Sequence, residues 1–385
     1  MNLNWRGELK KQRRLHFSPL LMAVVLGLLT ATSMVFAEDA KLSYDKQAQI
    51  ENAIAKFMSA NSVPGVSVAV VENGENEWSQ GYGMSDLENF VPATSRTLYR
   101  LASISKPLTA TAAMQLWERG KLDLDAPVQK YCPAFPQKEW PITTRQLLGH
   151  LAGIRHYRSD SQDDLEVGNT KHFNDGIEAG LKFFANDPLV AKPGTKFSYS
   201  TQGFTVAGCA IEGASGEKYV DFVRKNIFTP AGMNSTVADD RFAVILSRTR
   251  FYHKDESGRV LNADFLDSSY KIPGGGWLSS AEDMARFEVA VLSDKLIHRA
   301  TRDVMWTPLK TADGSKNDYA LGWGTGKDLG IVDVGHGGGQ QGTSTFIMLV
   351  PERRVGVVVL TNMDGVDASS LATELMKIIL GIPAK

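Results

Sequence analysis

Strand-forming stretches stand near both ends of this 385-residue chain, and helix-forming stretches lie between them. On the N-terminal side Val66 to Val71 is a short apolar run, Asn73-Gly74 follows, and Glu77 to Gly83 returns. Asn-Gly is a strong hairpin signal because both residues tolerate positive φ. On the C-terminal side Phe346 to Val350 and Val355 to Leu360 are apolar runs joined by Pro351-Glu352-Arg353-Arg354, a second hairpin. The economical arrangement is one antiparallel sheet shared by both ends. Two helices are placed to cover it. Residues 44 to 60 carry Ile50, Ile54, Phe57 and Met58 on one face, and Asp367 to Gly381 closes the chain with a capping residue at each end. The middle has few strand signals. Ile142-Thr143 opens a helix with a capping threonine, and residues 174–186, 202–213 and 217–228 are further helix candidates. The expected fold class is therefore α/β (α+β): an antiparallel sheet flanked by N- and C-terminal helices, with an inserted all-helical subdomain. The α/β part is expected over residues 38–120 and 270–385 and the helical part over 121–269, together one domain.

Composition narrows the function. The chain is 43% hydrophobic and 22% charged, values that allow a large core. Its formal net charge is −1, which implies no basic face and so no nucleic-acid partner. Residues 1–37 read as a signal peptide. Lys10, Lys11, Arg13 and Arg14 form a charged region, Leu20 to Leu29 an apolar one, and Val35-Phe36-Ala37 offers small residues for cleavage before Glu38. Export to the periplasm is the expected destination. The competing reading is an uncleaved anchor, and only then is the membrane a partner. Beyond that segment stand two cysteines, no disulfide framework. Cys209 reads as buried packing in an apolar helix and Cys132 as a residue of a Pro-rich loop, with a bond between them the less favoured reading. The seven histidines show no metal-ligand spacing, so neither a metal nor a cofactor is expected.

The chemistry centres on Thr97 to Gly120. Leu98, Tyr99 and Leu101 suggest a short strand, followed by a break and an amphipathic helix with Leu108, Ala112, Leu116 and Trp117 inward. Pro107 belongs in the first turn, where its missing N–H costs nothing. Ser103 and Lys106 then lie at the helix mouth, three residues apart and side by side. A serine nucleophile needs an amine to take its proton and a positive field for the oxyanion, and a helix N-terminus supplies part of that field. Four S-x-x-K matches occur: Ser43–Lys46, Ser103–Lys106, Ser215–Lys218 and Ser268–Lys271. Ser43 reads as a helix cap, Ser215 as a turn residue, and Ser268 as preceding a Pro-Gly-Gly-Gly loop. Only Ser103 has the strand-then-helix context that the motif requires.

Two later stretches complete a constellation: Lys196-Phe-Ser-Tyr-Ser-Thr-Gln-Gly-Phe204 and Asp333-Val-Gly-His-Gly-Gly-Gly-Gln-Gln-Gly342. Alone, Tyr199 reads as a packed ring and His336 as a loop residue. Together, Ser103-Ile-Ser-Lys106, Tyr199-Ser-Thr201 and His336-Gly-Gly338 resemble, in order and spacing, the motifs of the penicillin-recognising serine hydrolases. GKLDLDAPVQKYCPAFP, ITTRQLLGHLAGIRHY and VRKNIFTPAGM extend the resemblance to the class C beta-lactamase and DD-peptidase-like family over about residues 45–380. LLGHLAGIRHY followed by FSYST is most similar to the mitochondrial beta-lactamase-like serine protease branch and its bacterial relatives.

The resemblance implies a beta-lactamase/transpeptidase-like fold and an acyl-enzyme on Ser103. It implies Lys106 as a base and Tyr199 as a general acid or base, with the first proton acceptor left open between the two. The oxyanion hole is expected from the N–H groups of Ser103 and Gly339, and Gly337 and Gly338 are expected to let substrate lie against the strand. Thr201 and His336 are the further substrate-binding residues that the resemblance implies; Thr201 stands where many members have Asn, and His336 where lactamases have Lys, so efficient beta-lactam turnover is not expected. The expected partner is a small-molecule or peptide substrate. A peptidase leads this reading, with beta-lactamase and carboxylesterase activities behind it and a catalytically idle binding protein as the alternative of another class.

Overall fold

The computed structural model describes residues 42–158, 171–174, 176–327 and 329–383, and the expected signal segment lies outside them. In chain order, α1 (Tyr44–Asn61), β1 (Gly65–Glu72), β2 (Glu75–Asp86), β3 (Val91–Pro92) and β4 (Tyr99–Arg100) lead into α2 (Ser105–Glu118). α3 (Thr144–Leu148), α4 (Ile177–Leu181), α5 (Thr201–Ser215) and α6 (Tyr219–Val223) follow. Next come β5 (Val237–Ala238), β6 (Tyr252–Lys254), β7 (Val260–Asn262), β8 (Trp277–Ser279), α7 (Ala281–Leu292) and α8 (Arg299–Met305). β9 (Gly324–Gly326), β10 (Asp333–Gln340), β11 (Thr343–Val350), β12 (Val355–Thr361) and α9 (Ala368–Leu380) finish the described chain.

The two ends do share a sheet. Its strand order is β3-β2-β1-β12-β11-β10-β9, with every neighbouring pair antiparallel. The first strand pairs with the last, Val68 opposite Val359. Asn73 and Gly74 make the β1–β2 turn at φ 56° and 80°, the conformation such a turn demands. Strand alternation sorts the apolar residues onto two faces. Val66, Val68, Val70, Val355, Val357 and Val359 meet Ile50 and Ile54 of α1 and Leu371 and Leu375 of α9. Ala69, Val71, Val358 and Leu360 join the larger core on the opposite face, with α2, α5 and α7. Ser43 caps α1, Asp367 caps α9, and Gly381 ends α9 at φ 67°.

The middle of the chain is mostly helical and turn structure, with strand pieces the sequence did not announce. β5 pairs with β8 beside β4, and β6–β7 is a separate hairpin. Strands of two or three residues are too short for alternation to register. The cysteines are paired, a correction to their expected separate roles: Cys132 and Cys209 are disulfide-bonded with Cα atoms 5.3 Å apart. The bond ties the Pro-rich loop to α5. Gly213, one turn along α5, makes the approach feasible, because a Cβ there would meet the Tyr131 carbonyl at 1.7 Å. The 77-residue separation hid this contact from a linear reading.

Candidate active site

Ser103 sits in the 3-10 turn Ala102–Ile104 between β4 and α2. Ala102 is at φ 47°, left-handed for a residue with a side chain, so the chain turns sharply just before Ser103. Strand β10 runs against that turn. A Cβ on Gly338 would lie 2.3 Å from the Leu101 carbonyl oxygen and 3.2 Å from the Ala102 Cβ. Gly338 is therefore needed for packing of strand on turn. A Cβ on Gly337 would touch the Phe346 ring, on the far face of the strand, whereas Gly339 has open space. β9 covers β10 only from Asp333 to Gly335, so His336 to Gly339 lie beyond the pairing on that edge.

Lys106 lies in the first turn of α2 and is fully buried. Its Nζ is 3.0 Å from Ser103 Oγ, 3.2 Å from Thr201 Oγ1 and 2.8 Å from the Gly274 carbonyl oxygen. No carboxylate pairs with it among the described residues. Burial, and then the charge of Lys271, hold the Lys106 amine well below the usual lysine range. Thr201, expected to face substrate, is buried and turned onto the lysine instead.

Tyr199 precedes the N-cap of α5, where Ser200 Oγ accepts the Gly203 N–H. Its ring centroid is 4.8 Å from Lys106 Nζ. Burial pushes the phenol above its ordinary value, with the Ser103 side chain working the other way. Two histidines hold this turn. The Ser200 N–H donates to His150 Nδ1 at 3.1 Å, and the Thr201 N–H donates to His156 Nδ1 at 3.2 Å. The His150 carbonyl accepts the Ser198 N–H, and its ring lies between those of Tyr199 and Tyr319, at 4.2 and 4.7 Å. His150 is itself at φ 57°. Burial and the nearby Lys106 keep it well below the usual histidine range, and the same two causes, with Lys271, bring His156 down to about 4.

His336 does not act as an exposed cation. It is buried, its Nδ1–H donates to the Gly337 carbonyl oxygen, and its Nε2 accepts from the Tyr319 hydroxyl at 2.8 Å. Burial and Lys106 lower it to about 3, so the ring is neutral at physiological pH.

The match to known proteins follows the same layout. The model of the family described as Beta-lactamase matches residues 50–378. This chain belongs to the beta-lactamase family. The human protein named serine beta-lactamase-like protein LACTB, mitochondrial, is 32% identical over 415 aligned residues, covering 81% of this chain and 76% of that protein. Penicillin-binding protein 4* of Bacillus subtilis (strain 168) is 28% identical and covers 77% of this chain and 68% of its own length. Among solved structures, an octameric penicillin-binding protein homologue from Pyrococcus abyssi superposes with TM-score 0.74 at 30% identity, covering 87% of this chain and 77% of its own.

Within this beta-lactamase-family site, the fold brings together Ser103, Lys106, Tyr199, Thr201 and His336, and sets Gly338 of β10 against the turn that holds the serine. It also adds residues that motif reading passed over. His150 and His156 were visible in LLGHLAGIRHY only as non-ligands. Tyr319 carried no signal. Lys271 belongs to the Ser268–Lys271 match set aside as chance. It is buried, and its charge acts on Lys106. Ser268 is buried too, with its hydroxyl unpartnered among the described residues.

Proposed function

We propose that this chain is an exported serine hydrolase that cleaves amide or ester bonds by acyl transfer through Ser103, with peptides and simple esters preferred to beta-lactams. The state of Lys106 carries the reading. A neutral amine has two N–H bonds and one lone pair. The Gly274 carbonyl and Thr201 Oγ1 accept the two N–H bonds, which leaves the lone pair for the Ser103 hydroxyl. Tyr199 is shifted the opposite way, so it keeps its proton. Lys106 is therefore the base and Tyr199 the proton donor.

Ser103 Oγ attacks the scissile carbonyl while its proton passes to Lys106. The oxyanion is met by the N–H groups of Ser103 and Gly339. Losing one such donor typically costs about a hundredfold or more in rate. Collapse breaks the C–N or C–O bond. The leaving atom takes its proton from Tyr199, which Lys106 reprotonates. Water then attacks the acyl-enzyme, its proton following the same route, and Ser103 is released.

Two contacts support the substrate preference. His336 is neutral and engaged by Tyr319, and Thr201 is engaged by Lys106, so neither offers the charge or amide that would hold a penicillin. Export is supported by the charged and apolar regions before Glu38 and by the Cys132–Cys209 bond, which persists in oxidising compartments. No helix among the described residues is long and apolar enough to cross a membrane.

The test is covalent labelling with a fluorophosphonate, followed by kcat/KM on three substrates. Ser103→Ala is expected to abolish labelling with the fold intact. Labelling that persists at full level in the variant would remove Ser103 from its role. A p-nitrophenyl ester or a D-alanyl peptide is expected to be cleaved faster than nitrocefin. A nitrocefin value far above both would make the protein a beta-lactamase proper.

A further inference from the structure

The site holds a second lysine that the acyl-transfer steps leave without a counter-ion. Lys271 ends the 3-10 turn Ser269–Lys271, directly before the turn Ile272–Gly275 whose Gly274 carbonyl holds Lys106. It is only 4% exposed. Its Nζ lies 5.2 Å from the Tyr157 ring centroid and 5.4 Å from that of Tyr270. The Tyr157 ring lies 4.2 Å from that of His156, which in turn meets the Tyr199 ring at 5.3 Å, so a run of rings links Lys271 to Tyr199, and the charge of Lys271 acts on both Lys106 and His156. Among the described residues no carboxylate pairs with it. The acid nearest in sequence, Asp267, is already taken by the Ser269 N–H, His172 and Arg241.

Such an arrangement is costly by itself. A buried charge needs a partner, and two aromatic faces supply only part of one. Lys106 works as a neutral base, and the histidines around it are held neutral, so Lys271 is the lysine left to meet an anionic group. The position where lactamases place a cation is filled here by the neutral, hydrogen-bonded His336.

The geometry points to Lys271 as the anchor for a carboxylate carried by the substrate, so that the hydrolase selects acyl donors or leaving groups bearing an acidic group a short reach from the scissile bond. This rests on the acyl-transfer reading above and names the substrate class of that site. The bound carboxylate completes an ion pair with Lys271, and a charge-assisted contact of this kind is the strong sort.

The experiment compares p-nitrophenyl butyrate with the p-nitrophenyl monoester of succinic acid, and adds butyrate esters of 4-hydroxybenzoate and phenol to ask the same of the leaving group. One of the two pairs is expected to favour the acidic member about ten- to hundredfold in kcat/KM, seen mainly in KM. Lys271→Met is expected to erase that preference, Lys271→Arg to keep most of it, and Lys271→Glu to reverse it. Removing an unpaired buried charge does not threaten folding, and a melting curve of each variant checks this. If both members of both pairs are cleaved equally by the unaltered protein in a Ser103-dependent reaction, the anchor is overturned while the acyl-transfer reading stands. An equal fall on acidic and neutral esters in Lys271→Met, with the acid limb of the pH profile moved upward, makes Lys271 a neighbour of Lys106 only and also overturns the anchor. Absence of Ser103-dependent turnover of every ester overturns both readings.

Discussion

On the α1–α9 side of the sheet, valines of β1 and β12 meet isoleucines and leucines, and the layer is dry and aliphatic. On the other side the same sheet and its neighbours enclose Lys106, His336 and Glu288, each buried and each shifted away from its charged form. The first layer stabilises in proportion to the apolar area it removes from water. The second gives up part of that stabilisation, since a buried ionisable group costs free energy in whichever state it takes. The difference teaches where to look for chemistry in this chain. One layer holds the sheet together, and the other tolerates strain at Ala102 and His150 and, among the described residues, unpartnered buried polar atoms such as those of Glu288 and Ser268. Substitutions on the two sides should therefore separate stability from activity.

The largest separation is expected at Lys106. Lys106→Met keeps the volume and removes the base. The rate constant for acylation should fall by about a thousandfold or more, the scale seen when one member of a nucleophile–base pair is deleted. The melting temperature should hold or rise, because an amine with no acidic partner leaves the core. Stopped-flow acylation and calorimetry of the same preparation make the comparison. A variant that loses its fold together with its activity would show that the polar side is structural after all.

The mirror experiment comes next in size. Leu375 of α9 is fully buried against the aliphatic layer. Leu375→Ala should cost about 2–5 kcal/mol of unfolding free energy through lost transfer energy and a residual cavity. Below the unfolding transition, kcat/KM on an ester should stay within about twofold. A large kinetic defect in the folded variant would mean that the two sides are coupled through the sheet, and would break the division drawn above.

These contrasts also mark how far the sequence could be read. The hairpins, α1 and α9 were legible because their signals are local: Asn73-Gly74, alternating valines, a cap at Ser43 and at Asp367. Ser103 and Lys106 were legible because three residues along a helix mouth suffice to bring them together. Tyr199 and His336 became meaningful only through resemblance to a family, since each alone looks like ordinary packing. His150, Tyr319 and Lys271 stayed hidden. Their role depends on contacts between segments that folding brings side by side, and nothing in LLGHLAGIRHY or SSYK announces a partner fifty or more residues away. Gly338 shows a related limit: a glycine run says that something approaches closely, and only the fold names the Leu101 carbonyl. Thr201 faced the lysine rather than substrate because residue type gives no direction.

The smallest expected effect, and the sharpest in form, concerns Glu288 on α7. Both carboxyl oxygens are buried without a hydrogen-bond partner among the described residues. The group lies over the bare backbone of β12, where a Cβ on Gly356 would come within 2.3 Å of Oε2. Burial alone raises it well above the ordinary carboxylate range. Below an ordinary glutamate pKa of 4.5, folded and unfolded chains both hold the proton, and Glu288 imposes no dependence on pH. As pH rises past that value the unfolded chain releases the proton and the folded chain does not. The unfolded state then binds fewer protons, and stability falls with rising pH until the raised folded pKa is reached. Glu288→Gln removes the titration and nearly keeps the shape, and Glu288→Met also removes the unpaired polar atoms. Urea unfolding at pH 4, 6 and 8 should show both variants gaining on the unaltered protein as pH increases, Met more than Gln, with ester hydrolysis unchanged because Glu288 takes no part in acyl transfer. A stability difference that is constant across the three pH values would mean that Glu288 is paired in solution, and the polar side of the sheet would then hold one unsatisfied acid fewer than its packing implies.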